Sequence, residues 1–370
     1  MHWPMKSTVT DKIDPKSLVA LVVVGVVELE FFNFAEPVAE QAGNDAWLSA
    51  ILGSILSSLI TFVIVRLALR FPRENLWQYS VQVLSKPLTY VIALAYFIFW
   101  AVFLVVMLRS SVELNNTFFL REAPGIVTLI VIQVGAVALV LYGLAALVRH
   151  FQLMFPFLML PLLLTSALSI GNIKLGNFMP FLSEGMVPVL KGALVYVSCL
   201  QGLEALLFII PFLTHPEKAL KSALLGINII NVLAVVSVIT TIGVMGVNAT
   251  QELTWPNISM LGVLEIPLVP AERFDLWLTF PTLIGVFTTI CLFFYLLSYG
   301  IVQIFGITNK KLVIISLAIV TAAATYLIPN FAWTMKIRSI VDDSTLVFIL
   351  LIPLLTLIVG LLRGKKGEKS

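Results

Sequence analysis

Ten apolar stretches run through this chain, at about 15–40, 46–69, 87–112, 124–147, 151–171, 188–213, 219–246, 274–302, 311–329 and 344–362, each near or above the roughly 20 residues that cross a hydrocarbon core. A lipid interior offers no water to unpaired backbone groups, so such stretches must fold as helices. Composition agrees: of 370 residues 59% are hydrophobic and 12% charged, with a mean hydropathy of +1.03. A soluble domain would carry about twice that charge. The expected class is an all-α integral membrane protein of ten transmembrane helices, forming one polytopic domain over 1–370. The formal net charge of +3 gives no reason to expect nucleic acid. The basic start followed by apolar Leu18–Val27 resembles a signal peptide, but no small-residue cleavage site follows, and we read an uncleaved first span.

Basic residues orient the spans. With the N-terminus inside, 16 of the 23 lysines and arginines fall on the cytoplasmic side, which places both termini in the cytoplasm. Ten spans divide as five plus five, repeat one over about 15–171 and repeat two over about 188–362. An odd number per half makes the second repeat inverted relative to the first.

Carboxylates interrupt two of these spans. The first reads ALVVVGVVELEFFNFAEP over Ala20–Pro37, and the sixth VYVSCLQGLEALLFII over Val195–Ile210. A carboxylate at membrane depth costs at least about 2.5–3.5 kcal/mol, so Glu28 and Glu204 are functional candidates. Glu28 and Glu30 sit roughly 200° apart on a continuous helix, and a helix broken near Gly25–Asn33 removes that conflict. Gly202 permits a matching break in span six. Two interrupted segments in corresponding positions of the halves point to a small-solute site near the midplane. At about 1.5 Å per residue from Pro15, Gly25 to Glu28 lie roughly 15–20 Å into a core about 30 Å thick.

Each candidate has a structural alternative. Gly25 either exposes backbone at the first break or allows close helix packing. Glu28 either meets a ligand ammonium, a cation or a proton, or pairs with another buried group; Glu30 and Glu36 suit solvated or helix-end positions. Asn33 is a capping residue or a ligand contact. A half-helix starting after Gly202 would offer amides to a ligand carboxylate, with Glu204 in its first turn as a capping or gating group. On this reading Glu28 is the cation- or proton-responsive group and Glu204 the structural one. Gln201 and Cys199 would line the cavity. Tyr96, Phe99, Trp100 and Phe103 form an aromatic stripe that is either packing or, through the Tyr96 hydroxyl, a contact. Cys199 and Cys291 read as small buried hydrophobes, and His2, His150 and His215 form no ligand pattern. Neither a Walker-type loop, a zinc spacing nor a nucleophile elbow occurs, so no catalytic residues, metal or cofactor are expected.

Several segments together resemble the B-subunit family of spore germinant receptors, the spore germination permeases. They are AGNDAW (Ala42–Trp47), FMPFLSEGMVPVLKGAL (Phe178–Leu194), QGLEALLFIIPFL (Gln201–Leu213), TWP (Thr254–Pro256) and AERFDLWLTFPTLIGVFTTI (Ala271–Ile290). The similarity is collinear over roughly residues 12–362, and its specificity lies in the joint order and spacing of the segments. The glutamate-rich VELEFFNFAEP departs from the small, glycine-containing break expected in span one. The resemblance implies the amino acid–polyamine–organocation superfamily and a LeuT-like five-plus-five inverted repeat with helices one and six broken. It further implies a receptor subunit in the inner membrane of bacterial endospores, partnered by a larger A-type membrane subunit and a C-type lipoprotein. Its ligand would be a nutrient germinant, commonly an amino acid. In that superfamily span eight borders the site, which adds Thr288 and Thr289, the alternative being back-bonding to their own helix. The competing reading is a proton- or cation-coupled amino acid transporter; an integral membrane enzyme is a weaker third.

Overall fold

The computed structural model describes residues 12–27, 33–118, 124–264 and 275–367, with 275–280 as backbone alone. Helix α1 (Pro15–Val26) begins where the sequence places a cap: the Asp14 carboxylate accepts from the Lys16 N–H at 3.2 Å, and Pro15 takes the first helical position. It stops at Val26, with Val27 extended at φ −75° and ψ 90°. The chain is helical again in α2 (Ala35–Ala42). The first span is therefore two helices, as its mixed sequence requires; Glu28 and Glu30, between them, lie outside the described residues.

The bundle continues with α3 (Ala46–Arg70), α4 (Leu76–Val83), α5 (Lys86–Phe118), α6 (Gly125–Leu141) and α7 (Leu144–Ile170). Helix α4 is a short segment before α5, started by a reciprocal cap between Asn75 and Gln78. The loop after α7 holds a 3₁₀ turn, Leu175–Phe178, before α8 (Met186–Ser198). The sixth span then breaks and resumes through Leu203–Phe212, whose central turn is α9 (Leu206–Ile209); the two pieces are bent by 51°. There follow α10 (Ala219–Met245), α11 (Val247–Glu252), α12 (Pro256–Leu261), α13 (Asp275–Phe305), α14 (Lys310–Leu327), α15 (Phe331–Leu346) and α16 (Ile352–Leu362).

Each of the ten expected stretches contains helix among the described residues, but the helices differ in length. Among the described residues seven helices are long and apolar enough to cross a membrane, eight if the bent pair counts as one span. Helices α1 and α6, of 12 and 17 residues, fall short of that length. The last span also begins earlier than 344: α15 and α16 are joined by a π-helical turn, Val347–Leu351, into one run of 32 residues from Phe331. This brings Arg338, Asp342 and Asp343 inside it.

Packing is inverted relative to a soluble protein. Large apolar side chains face outward, with Ile55, Leu59, Val131 and Leu160 each more than half exposed, a surface suited to lipid. Polar groups lie between helices instead. Asn231 of α10 donates to Ser54 O at 3.0 Å, and its Oδ1 accepts from Ser57 Oγ at 2.9 Å and from the Tyr196 hydroxyl at 3.0 Å, joining α3, α8 and α10. Such bonds hold helices together where burial of apolar surface supplies no driving force. The entry to α1 is tied to the exit of the broken sixth span: the Ile13 N–H donates to Phe212 O and the Thr214 N–H to Ile13 O, both at 2.9 Å.

Candidate ligand site at the two breaks

The two breaks meet. Gly202 has φ +102°, and a Cβ there would sit 2.8 Å from the carbonyl oxygen of Gly25. Glycine is needed twice over at this position, for the left-handed backbone and for the close approach. Helix α13 closes the same place. Thr289 Oγ1 lies 3.4 Å from Gly25 O, and Thr288 Oγ1 lies 3.4 Å from Val24 O while donating to Gly285 O at 2.7 Å. Gly25, Gly202, Thr288 and Thr289 thus share one buried locus at the C-terminal end of α1.

Glu204 occupies the start of the second half-helix and is fully buried. Its Oε1 accepts from Trp100 Nε1 at 3.1 Å and its Oε2 from the Gly202 N–H at 3.0 Å, and it also accepts from its own backbone N–H. Every one of these contacts donates to Glu204, the pattern of a carboxylate acceptor. The Gly202 amide is therefore bonded inside the protein. The reason is geometric: with Gly202 left-handed, a glutamate two residues on reaches back to cap the turn it belongs to.

The aromatic stripe of α5 is packing. The Tyr96 hydroxyl donates to Phe348 O at 2.7 Å, within the π-helical turn, and Phe99 stacks on the Phe348 ring at 4.2 Å. Trp100 and Trp77 enclose Phe208 of α9 at 5.3 and 4.8 Å. Tyr96 and Trp100 thereby fix the second half-helix from one side. Cys199 ends α8 as a buried thiol.

Gln201 and Asn33 define the other side. Gln201 is fully buried; its Nε2 donates to Asp342 Oδ1 at 2.7 Å and to Thr345 Oγ1 at 3.1 Å, while its Oε1 has no partner among the described residues. Asn33 Nδ2 donates to Glu36 Oε2 at 3.1 Å, and Asn33 Oδ1 is buried without a partner among the described residues. The Asn33 backbone carbonyl accepts from the Glu36 N–H at 3.0 Å in the turn before α2, whose N-cap residue is Phe34. Arg338 and Asp342 fall before the last span expected from 344, and Thr345, just inside it, was not singled out from the sequence either. A guanidinium and carboxylate four residues apart, followed at once by an apolar run, was the available signal. Glu28 lies outside the described residues.

This arrangement offers a ligand two kinds of surface. Toward α13 the carbonyl oxygens of α1 and two threonine hydroxyls gather, a set suited to a small hard cation. Toward α2 and α15 lie carboxylates and unpaired amide oxygens.

A family model described as spore germination protein matches residues 12–330. The chain is similar to spore germination protein YndE of Bacillus subtilis (strain 168), 24% identical over 298 residues covering 80% of this chain and 82% of that protein. It is also similar to spore germination protein KB of the same strain, 23% identical over 342 residues covering 89% and 90%. Among solved structures, MhsT in complex with L-phenylalanine aligns with a TM-score of 0.67 and 14% identity, covering 94% of this chain and 88% of that one. MHP1, a nucleobase-cation-symport-1 family transporter with bromovinylhydantoin bound, aligns at 0.65 and 13%, covering 91% and 77%. These structural likenesses show a shared, LeuT-like transporter fold.

Proposed function

This chain belongs to the spore germination protein family, and on that premise we propose that it is the membrane subunit of a nutrient germinant receptor, binding a small nutrient at the two breaks. One observation carries this reading: two half-helix ends from separate spans are brought within contact at Gly25 and Gly202, lined by buried polar groups. Ligand binding there favours one packing of the breaks over another, because a ligand shifts an equilibrium only by its differential affinity. The nutrient is an amino acid or a molecule of similar size. The receptor's other parts are an A-type membrane subunit and a C-type lipoprotein, and its place is the inner spore membrane. Deleting the gene should abolish germination to one class of nutrient while leaving the response to others intact; spores with an unchanged response to every nutrient would overturn the assignment.

A second reading is cation-coupled solute transport, favoured by the oxygens of Val24, Gly25, Thr288 and Thr289 at the end of α1. Uptake of labelled amino acid into liposomes, dependent on a sodium or proton gradient, would establish it.

The basic-residue asymmetry supports cytoplasmic termini. A single cysteine introduced just after Lys365 should react with a membrane-impermeant maleimide only after permeabilisation. Labelling in intact cells would reverse the orientation.

A further inference from the structure

Where α1 and α7 begin, they enclose an open cleft of about 200 Å³. Its polar lining comes from Lys12, Asp14 and Ser17 at the start of α1 and from Arg149 and Gln152 of α7. Gln152 Nε2 donates to Ser17 Oγ at 2.9 Å, which ties the two helices together at the cleft. Ser17 is more than nine-tenths buried, and its own hydroxyl hydrogen meets no acceptor among the described residues.

Two cations in this cleft lack a counter-charge. Asp14 is engaged in capping α1, where it accepts from the Lys16 N–H. Neither Lys12 nor Arg149 forms an ion pair among the described residues. Arg149 Nε donates to Ala145 O at 3.1 Å, and no acceptor among those residues meets its two terminal nitrogens. Two positive groups against one carboxylate give the cleft a net charge of +1.

The face of α7 that continues from Arg149 is a lipid surface. In steps of four and three residues, Leu153, Phe157 and Leu160 follow it along one stripe, each more than half exposed. The 27 residues of α7 extend over about 40 Å, roughly 10 Å more than the hydrocarbon core. Arg149, in the second turn, therefore stands where the helix enters the bilayer. An arginine there lays its stem on apolar surface and holds its charge at headgroup level.

We propose that this cleft binds the phosphate of an anionic phospholipid, held by Arg149, Lys12 and the Ser17 hydroxyl, with an acyl chain along Leu153, Phe157 and Leu160. The match is one of charge and of shape. A headgroup such as phosphatidylglycerol carries one negative charge, equal and opposite to that of the cleft. Its two unesterified phosphate oxygens suit the fork of a guanidinium. Basic pockets between membrane helices recognise acidic headgroups in this way. Phosphatidylcholine would bring a quaternary ammonium against the same two cations. The bound headgroup joins α7 to the chain entering α1, which Ile13 already bonds to the exit of the sixth span.

This inference stands apart from the nutrient site, and its test needs no germinant. The purified full-length chain is titrated in detergent with phosphatidylglycerol or phosphatidylcholine, and retained lipid is counted by native mass spectrometry. Phosphatidylglycerol should bind about tenfold more tightly, as charge-assisted bonds to the phosphate require. Arg149→Gln and Lys12→Gln should each remove most of that preference; both side chains are exposed, so the fold should tolerate either change. Lys16→Gln removes the same charge from the same helix end but lies outside the cleft, and it should leave the preference intact. Inorganic phosphate in excess should not displace the lipid, because it makes no contact along α7. Equal binding of the two lipids, an undiminished preference in either cleft variant, or an equal loss in Lys16→Gln would overturn the proposal. Displacement by inorganic phosphate would overturn the lipid as the occupant.

Discussion

Glu204→Ala should destabilise the folded chain by about 2–5 kcal/mol, because it strips the acceptor from two donors buried in the bundle. Trp100 Nε1 and the Gly202 N–H both give their hydrogen to this carboxylate, and Glu204 is wholly inaccessible. Neither donor has water to turn to at that depth, so each is left with its full desolvation cost. Glu204→Gln keeps the shape and one acceptor oxygen and should lose less than the alanine variant. Trp100→Phe removes one donor while keeping most of the ring volume. In a double-mutant cycle with Glu204→Gln it should show a coupling of about 0.5–3 kcal/mol, since the two side chains share a bond. Reversible unfolding in detergent measures the parent and all four variants. A Glu204→Ala variant within about 0.5 kcal/mol of the parent, the scatter of ordinary surface substitutions, would show that the carboxylate does not hold the break together.

The sequence made the breaks readable because glycine and carboxylates are costly inside an apolar run and so stand out. Asp14-Pro15 located the start of α1, and Gly202 the second break. The separation of Glu204 as a structural group followed from its place in a first helical turn. The same argument supplied a positive helix end but not its occupant. That the Gly202 amide bonds the Glu204 side chain depends on a backbone turn that spacing alone does not reveal. The α15 side of the site was hidden for another reason. Residues 331–343 carry Lys336, Arg338, Asp342 and Asp343, enough charge to read as a loop before a membrane span. In the fold Asp342 accepts from Gln201 and lies 3.9 Å from Arg338, while Lys336 and Asp343 are exposed, and the helix continues through all four. Helices α1 and α6 show the converse limit: at 12 and 17 residues, each is shorter than the stretch that announces it.

The largest effect of a single methyl group is expected at Gly202. In Gly202→Ala the new Cβ would lie 2.8 Å from Gly25 O, a backbone atom that cannot swing aside. The residue would also have to hold φ +102°, where a side chain costs about 1–3 kcal/mol before any clash is counted. Relief requires the two breaks to separate, which would also disturb the Gly202 bond to Glu204 and the approach of Thr289 to Gly25. The loss should therefore exceed the strain alone and reach about 3 kcal/mol or more. Gly25→Ala makes a useful comparison, since its Cβ would come as close, 2.8 Å, but to the methyl end of the Leu292 side chain. Leucine can change rotamer, and Gly25 lies within α1, where alanine is the better helix former. Gly25→Ala should thus cost clearly less than Gly202→Ala, although both glycines stand at the same contact. Equal losses, measured by thermal unfolding of the two variants side by side, would mean that the close approach of the breaks is not what Gly202 provides. A milder loss at Gly202 than at Gly25 would overturn the idea that the two breaks are locked against each other.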